Sequence, residues 1–155
     1  MTSPVSNPKA APSYQRALNV AMRALLASPL HSLLSRRLLV IDVTGRRSGA
    51  VYHIPVGYVE HDGDLLIGSG GRWYRNLVAG QEVSILLRGR RRTARAEVVT
   101  DEARCAELYR YILAGNPIHG KYVGIGVEPD GTPNQSDLRR ALAAGAAVVR
   151  LATTT

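Results

Sequence analysis

The sequence contains no phenylalanine, one tryptophan, a single cysteine and only two lysines, Lys9 and Lys121. One thiol excludes an intrachain disulfide and any cysteine-based metal cluster. The four histidines (His31, His53, His61 and His119) stand at no metal-ligand spacing and the acids form no obvious pair, so no metal is expected and paired-carboxylate catalysis is not indicated. Ser48 and Ser69 lack both a neighbouring histidine and the context of a nucleophile elbow. No apolar run is long enough to span a bilayer. The opening "MTSPVSNPKAAPS" is not built like a secretory signal, and a cytoplasmic location is the expectation. An enzyme without side-chain machinery of its own borrows its chemistry from a cofactor.

What the chain does have is arginine. Basic residues number 20 against 12 acidic ones, for a net charge of +8, and all but two of the basic residues are arginine. The guanidinium fork suits bidentate binding of phosphate and carboxylate better than an ammonium does. The excess is therefore compatible with an anionic ligand, a nucleic acid, an anionic membrane surface or a solvated basic face. With 45% hydrophobic and 21% charged residues over 155 positions, the chain reads as a soluble globular domain that can bury a core.

Residues 1–12 read as a flexible arm, and 13–155 as a single domain. "YQRALNVAMRALLAS" from Tyr14 has helical spacing, with Ser13 as its cap, and "LHSLLSRR" follows as a second short helix. This pair either packs over a sheet or associates peripherally with a membrane through its basic amphipathic face. Beyond it "RLLVIDVT" and "VYHIPVGYVE" read as strands, and Asp62–Gly63 as a type I′ hairpin turn into "DLLIGS". "EVSILLR" and "RTARAEVV" form a second hairpin across Gly89. Between the hairpins, "GSGGRWYRNLVAG" is expected to open a short helix that Gly80 closes. Thr100 is the expected cap of a longer helix with Cys105, Leu108, Tyr109 and Ile112 on one face. Asn116–Pro117 ends it, Ser136 caps a shorter helix, and "AAVVRLAT" is the last strand. Antiparallel hairpins with segregated helices predict an α+β domain: a small antiparallel split β-barrel of about six strands, with N-terminal and peripheral helices.

Two loops carry the chemical signal. In "TGRRSG" (44–49) the glycines let backbone amides approach a ligand, while Thr44, Ser48 and two guanidiniums supply donors. In "GSGGRWYRN" (68–76) glycines precede an expected helix start, where free amides favour anions. Arg72 and Arg75 add charge there, and Trp73 and Tyr74 aromatic surface. A third basic run, "RGRRRTAR" (88–95), prompts a nucleic-acid reading, but no aromatic residue is interleaved for base stacking. No nucleic-acid partner is expected.

Residues 36–100 closely resemble the deazaflavin-dependent nitroreductase family, split-β-barrel flavin and deazaflavin oxidoreductases that use coenzyme F420. The resemblance rests on Thr44–Gly49, Pro55, Asp62–Gly63, Ser69–Gly71, Trp73–Tyr74, Asn76–Leu77, Ala79 and Val83 in that order. It implies a reductase passing a hydride from reduced F420 (or, alternatively, FMN) to a conjugated small-molecule substrate such as a quinone, enone or nitroaromatic. A non-catalytic flavin or deazaflavin carrier is the other reading of the same resemblance.

By that resemblance Arg46, Arg47 and Ser48 meet the cofactor's phosphate and acidic tail, and Ser69, Gly70, Gly71, Arg72 and Asn76 meet the phosphate or hold the ring. Thr44, Gly49, Pro55 and Arg75 belong to the same cofactor-binding set. Trp73 either packs beneath the turn or touches cofactor, and Tyr52, Ile54, Val56 and Tyr58 either wall the ring or pack in the core. The family's lysine in the glycine loop is missing from the shorter "SGGRWY", with Arg72 as its replacement. The C-terminal third matches poorly, and "NQSDLRRALAAG" looks like an insertion. Tyr109, Tyr111, His119 and Tyr122 are the candidates there for the substrate pocket, with Tyr122 as proton donor. The protein is expected to be a monomer or a homodimer.

Overall fold

The computed structural model describes residues 37–154; the expected arm and the two amphipathic helices up to Arg36 lie outside the described residues. Alternating branched residues make β1 (Leu38–Thr44), in which Leu39, Ile41 and Val43 are buried between more open neighbours. It pairs in antiparallel register with β2 (Val51–Gly57), Asp42 opposite His53. Then come β3 (Val59–His61), β4 (Asp64–Ser69), β5 (Glu82–Leu87), β6 (Arg90–Val99) and, at the end of the chain, β7 (Ala147–Thr153).

The sheet order is β2-β1-β5-β6-β7-β4-β3, and this order dictates a barrel. In a flat sheet of seven strands the two edge strands would lie about 29 Å apart. Yet β2 and β3 are those edges, and Tyr58 alone joins them. One residue spans only about 3.5 Å, so the sheet curls until its edges meet at that corner. The corner also explains why there are seven strands rather than about six: "VYHIPVGYVE", expected as one strand, breaks at Tyr58 into two. Pro55 is tolerated in β2 because an edge strand leaves one side of its backbone unpaired.

Both expected hairpin turns are present, with left-handed pairs at Asp62 (φ 50°) and Gly63 (φ 80°) and at Arg88 (φ 49°) and Gly89 (φ 76°). The barrel interior holds one core, including Leu39, Ile41, Ile85, Ile67, Val149 and Leu151. A second core lies outside it, where Leu66 of β4 and Val148 of β7 meet α1 (Glu102–Gly115), α2 (Pro117–Val123) and α3 (Gln135–Ala143). Strands β4 and β7 are thus buried on both faces, which is why their apolar runs do not alternate. Cys105 belongs to this outer core, with its thiol donating to the Val99 carbonyl.

Three helix starts differ from expectation. The cap of α1 is Asp101, whose carboxylate accepts from the Arg104 amide at 3.0 Å, not Thr100. Asn134, not Ser136, caps α3, accepting from the Asp137 amide at 3.0 Å. Asn116–Pro117 ends α1 as expected, with Asn116 as its C-cap, and also starts the unforeseen α2: Pro117 takes the first helical position, where its missing N–H costs nothing. Asp101→Ala should lower unfolding stability by about 1 kcal/mol in denaturant titration, and Thr100→Ala should leave it nearly unchanged.

Candidate functional site

The turn between β1 and β2 is built from its own bonds. The Gly45 amide donates to the Ala50 carbonyl (2.8 Å), the Gly49 amide to the Gly45 carbonyl (2.9 Å), and the Ala50 amide to Ser48 Oγ (3.2 Å). A side chain at Gly45 would place its Cβ 2.6 Å from Ser48 Oγ and 2.9 Å from the Tyr52 ring, so anything larger than glycine would displace those two side chains. With the backbone thus fixed, the Arg46 and Arg47 side chains stand exposed at the tip.

The second loop leaves β4 through Ser69, whose buried hydroxyl donates to the Gly71 carbonyl at 3.0 Å. The expected short helix reaching Gly80 is a single 3-10 turn, Trp73–Asn76, after which Leu77 is already extended. So short a turn carries little dipole, and the anion signal there rests on side chains rather than on a helix start. Tyr74 anchors the turn, its hydroxyl donating to the Gly145 carbonyl at 2.8 Å.

Asn76 joins the two loops. Its Oδ1 accepts from the Arg46 amide at 3.1 Å while its Nδ2 donates to the Trp73 carbonyl at 3.2 Å. Between the loops lies a cavity of about 750 Å³, rimmed by Arg46, Arg47, Ser48 and Arg72 and backed by Tyr52, Ile54 and Trp73. The ion pairs among the described residues engage other arginines, namely Arg88, Arg91, Arg95, Arg104, Arg139, Arg140 and Arg150. The three guanidiniums at this rim therefore carry uncompensated charge beside an apolar wall, an arrangement suited to a ligand with an anionic arm and a flat body.

The remaining expected cofactor positions flank this cavity without lining it. Thr44 and Gly49 bracket the first turn, Pro55 points to the other face of β2 from Ile54, and Arg75 reaches toward the Gly145 corner. Gly70 is approached by α2: a Cβ there would stand 3.0 Å from both the Tyr122 ring and Val123. The same helix, an element not foreseen in the sequence, brings two of the four candidate substrate residues, His119 and Tyr122, to the glycine loop. Tyr122 is 78% exposed, whereas Tyr109 is fully buried in the outer core, closed to any substrate. Tyr111 lies away from the loop, stacked on His61 with ring centroids 3.6 Å apart.

His119 Nε2 lies 3.4 Å from the Tyr109 hydroxyl, with its ring laid against Gly68 of β4. Burial pushes the tyrosine hydroxyl pKa up and holds the imidazole below its ordinary 6.5, so both are neutral at neutral pH. A histidine depressed by folding binds its proton more readily in the unfolded chain, so stability is complete above pH 6.5 and declines as pH falls toward the folded value. The melting temperature should drop as pH falls below 6.5, and His119→Gln should flatten that slope. Among the described residues no group of three His, Cys, Asp or Glu could hold a metal, and no helix is long and apolar enough to cross a membrane.

The model of the F420H2-dependent quinone reductase family matches residues 15–124. Among solved structures, an F420H2-dependent reductase superposes with a TM-score of 0.50 at 17% identity, covering 75% of this chain and 94% of its own. A domain-swapped dimer superposes with a TM-score of 0.50 at 18% identity, covering 90% of this chain and 99% of its own. A candidate 5-nitroimidazole antibiotic resistance protein from Bacteroides thetaiotaomicron gives 0.51 at 13% identity, over 81% of this chain and 78% of its own. At these identities the likeness carries the fold, an α+β split barrel. No curated protein matches the chain significantly.

Proposed function

Since the chain belongs to the F420H2-dependent quinone reductase family, we propose that the cavity between the Arg46 and Trp73 turns holds reduced F420 beside a quinone, enone or nitroaromatic acceptor. The observation that carries this reading is the convergence of Arg46, Arg47 and Arg72, uncompensated by carboxylates among the described residues, on one cavity with an apolar wall. The residues fit the cofactor: its phosphodiester and oligoglutamate tail need cations, and its flat ring system needs surfaces such as Trp73 and Ile54. The family is one of reductases using F420, which sets aside both the carrier reading and FMN.

When bound, the reduced deazaflavin supplies a hydride. The chain's own part is binding, orientation and the proton. Arg46, Arg47 and Arg72 neutralise the anionic groups, and the Asn76 bridge holds the two loops at a fixed spacing so that the acceptor meets the ring in one pose. A quinone that receives a hydride still needs one proton to become the hydroquinone. Tyr122, exposed on α2 beside Gly70, is the proposed donor through its phenolic hydroxyl. His119 is half-buried and held neutral, which suits support of α2 rather than acid catalysis.

Fluorescence titration with oxidised F420 tests the site, and optical measurement of F420H2 oxidation with menadione tests the reaction. Binding at micromolar concentration with turnover is expected; no binding in that range would sink the proposal.

A further inference from the structure

The arginine run of the β5–β6 hairpin takes no part in the cavity described above. Strand directions place it at the other end of the barrel. The start of β1 lies alongside the end of β5, with Val40 opposite Leu86, so the Arg88–Gly89 turn is remote from the Arg46 turn. The Asp62–Gly63 turn closes the same far end, because β4 begins there and finishes at Ser69 beside the Trp73 loop. Between these two hairpins is a second cavity of about 510 Å³.

Alternation along β6 decides which arginines face it. Ala94 and Ala96 are buried in the barrel interior, so Arg92 and Arg90 lie on that same inward face where the strand leaves the core, and both line the cavity. Arg91, on the opposite face, is bonded to Asp42 and Ser84. Among the described residues Arg90 and Arg92 have no ion-pair partner. Of the two carboxylates that line it, Glu60 holds Arg88, and the exposed Asp62 lies 3.2 Å from His61, an ion pair when that histidine is protonated. Leu65 and Leu87 give the cavity an apolar wall. Beside the cavity, Arg88 also reaches the hydroxyl of the buried Tyr58.

We propose that this far mouth binds a phosphoryl dianion bearing an apolar substituent. Two guanidiniums two residues apart on one strand face are rooted about 7 Å apart, close enough for both forks to converge on one tetrahedral anion. A monoanionic carboxylate would leave one of the two charges uncompensated, whereas a phosphate monoester matches both. The substituent lies against Leu65 and Leu87. The two sites stand at opposite ends of the barrel, so this one does not depend on the cofactor reading.

Phenyl phosphate has both features and serves as the probe. Isothermal titration of the full chain should show binding in the millimolar range or tighter, and R90Q/R92Q, with both changes at exposed side chains, should weaken it about tenfold or more. R46A/R47A, which removes two of the three guanidiniums at the other end of the barrel, should leave the Arg90- and Arg92-dependent binding unchanged. The proposal is overturned by absence of binding at millimolar concentration, by binding that survives R90Q/R92Q, or by binding abolished in R46A/R47A instead. Sedimentation with phosphatidylcholine vesicles containing phosphatidic acid then separates the sources of the phosphate. Sedimentation that requires Arg90 and Arg92 identifies a lipid headgroup as the ligand. Phenyl phosphate binding without sedimentation identifies a soluble phosphomonoester.

Discussion

Alanine at both Arg46 and Arg47 is expected to weaken F420 binding by about 1–3 kcal/mol for each charge-assisted hydrogen bond that disappears, which is roughly tenfold in Kd for every 1.4 kcal/mol. The substitutions isolate the guanidiniums because the turn does not depend on them. Its backbone is set by the Gly45, Gly49 and Ala50 amides, and the Arg46 amide keeps its bond to Asn76 whatever side chain it carries. Both side chains are exposed, so melting temperature should change little while affinity falls. Higher salt should narrow the gap between wild type and variant, since exposed charges are screened. Fluorescence titration at two ionic strengths checks both statements. If affinity is unchanged in the double variant, the arginines are only solvated turn residues and the assignment of this cavity fails.

The two loops that meet here are legible in the sequence because each uses a local signal, glycines beside arginines, that needs no tertiary information. What joins them is not legible. The bond from the Arg46 amide to Asn76 spans 30 positions, and no propensity in either segment announces it. Hairpins are readable for the same local reason: Asp62–Gly63 and Arg88–Gly89 place left-handed pairs where strands reverse. The corner at Tyr58 is not, since β-formers on both sides mask a break imposed by the closure of the barrel. Helix α2 is hidden by Asn116–Pro117, a pair that can end one helix and start the next. That helix is what sets His119 and Tyr122 beside the glycine loop, so the part of the site furthest from local signals is also the part that sequence leaves open.

Gly68→Ala probes that hidden part directly. Gly68 lies on the outer face of β4, paired with Val148 of β7, and the ring of His119 occupies the space a side chain would need. A Cβ there would fall far inside van der Waals contact with His119 Nε2. At Gly68 the strand is held in register by β7, the pairing with β3 reaching only Leu66; the imidazole is the group in the way and must move, straining its seat on α2. Two effects oppose one another. Replacing glycine in a strand gains about 0.5–1 kcal/mol in chain entropy, whereas forcing bulk into a packed site costs about 1–3 kcal/mol. The clash wins, so a net loss of stability is expected in denaturant titration. Adding His119→Ala should remove the obstruction, making the double variant more stable than the sum of the single losses, a coupling that a double-mutant cycle reads directly. Strict additivity would show that the ring of His119 does not rest on Gly68. Menadione turnover gives the second readout. If Tyr122 delivers the proton from α2, Gly68→Ala should lower kcat while F420 affinity, set by the Arg46 and Trp73 turns, stays close to wild type.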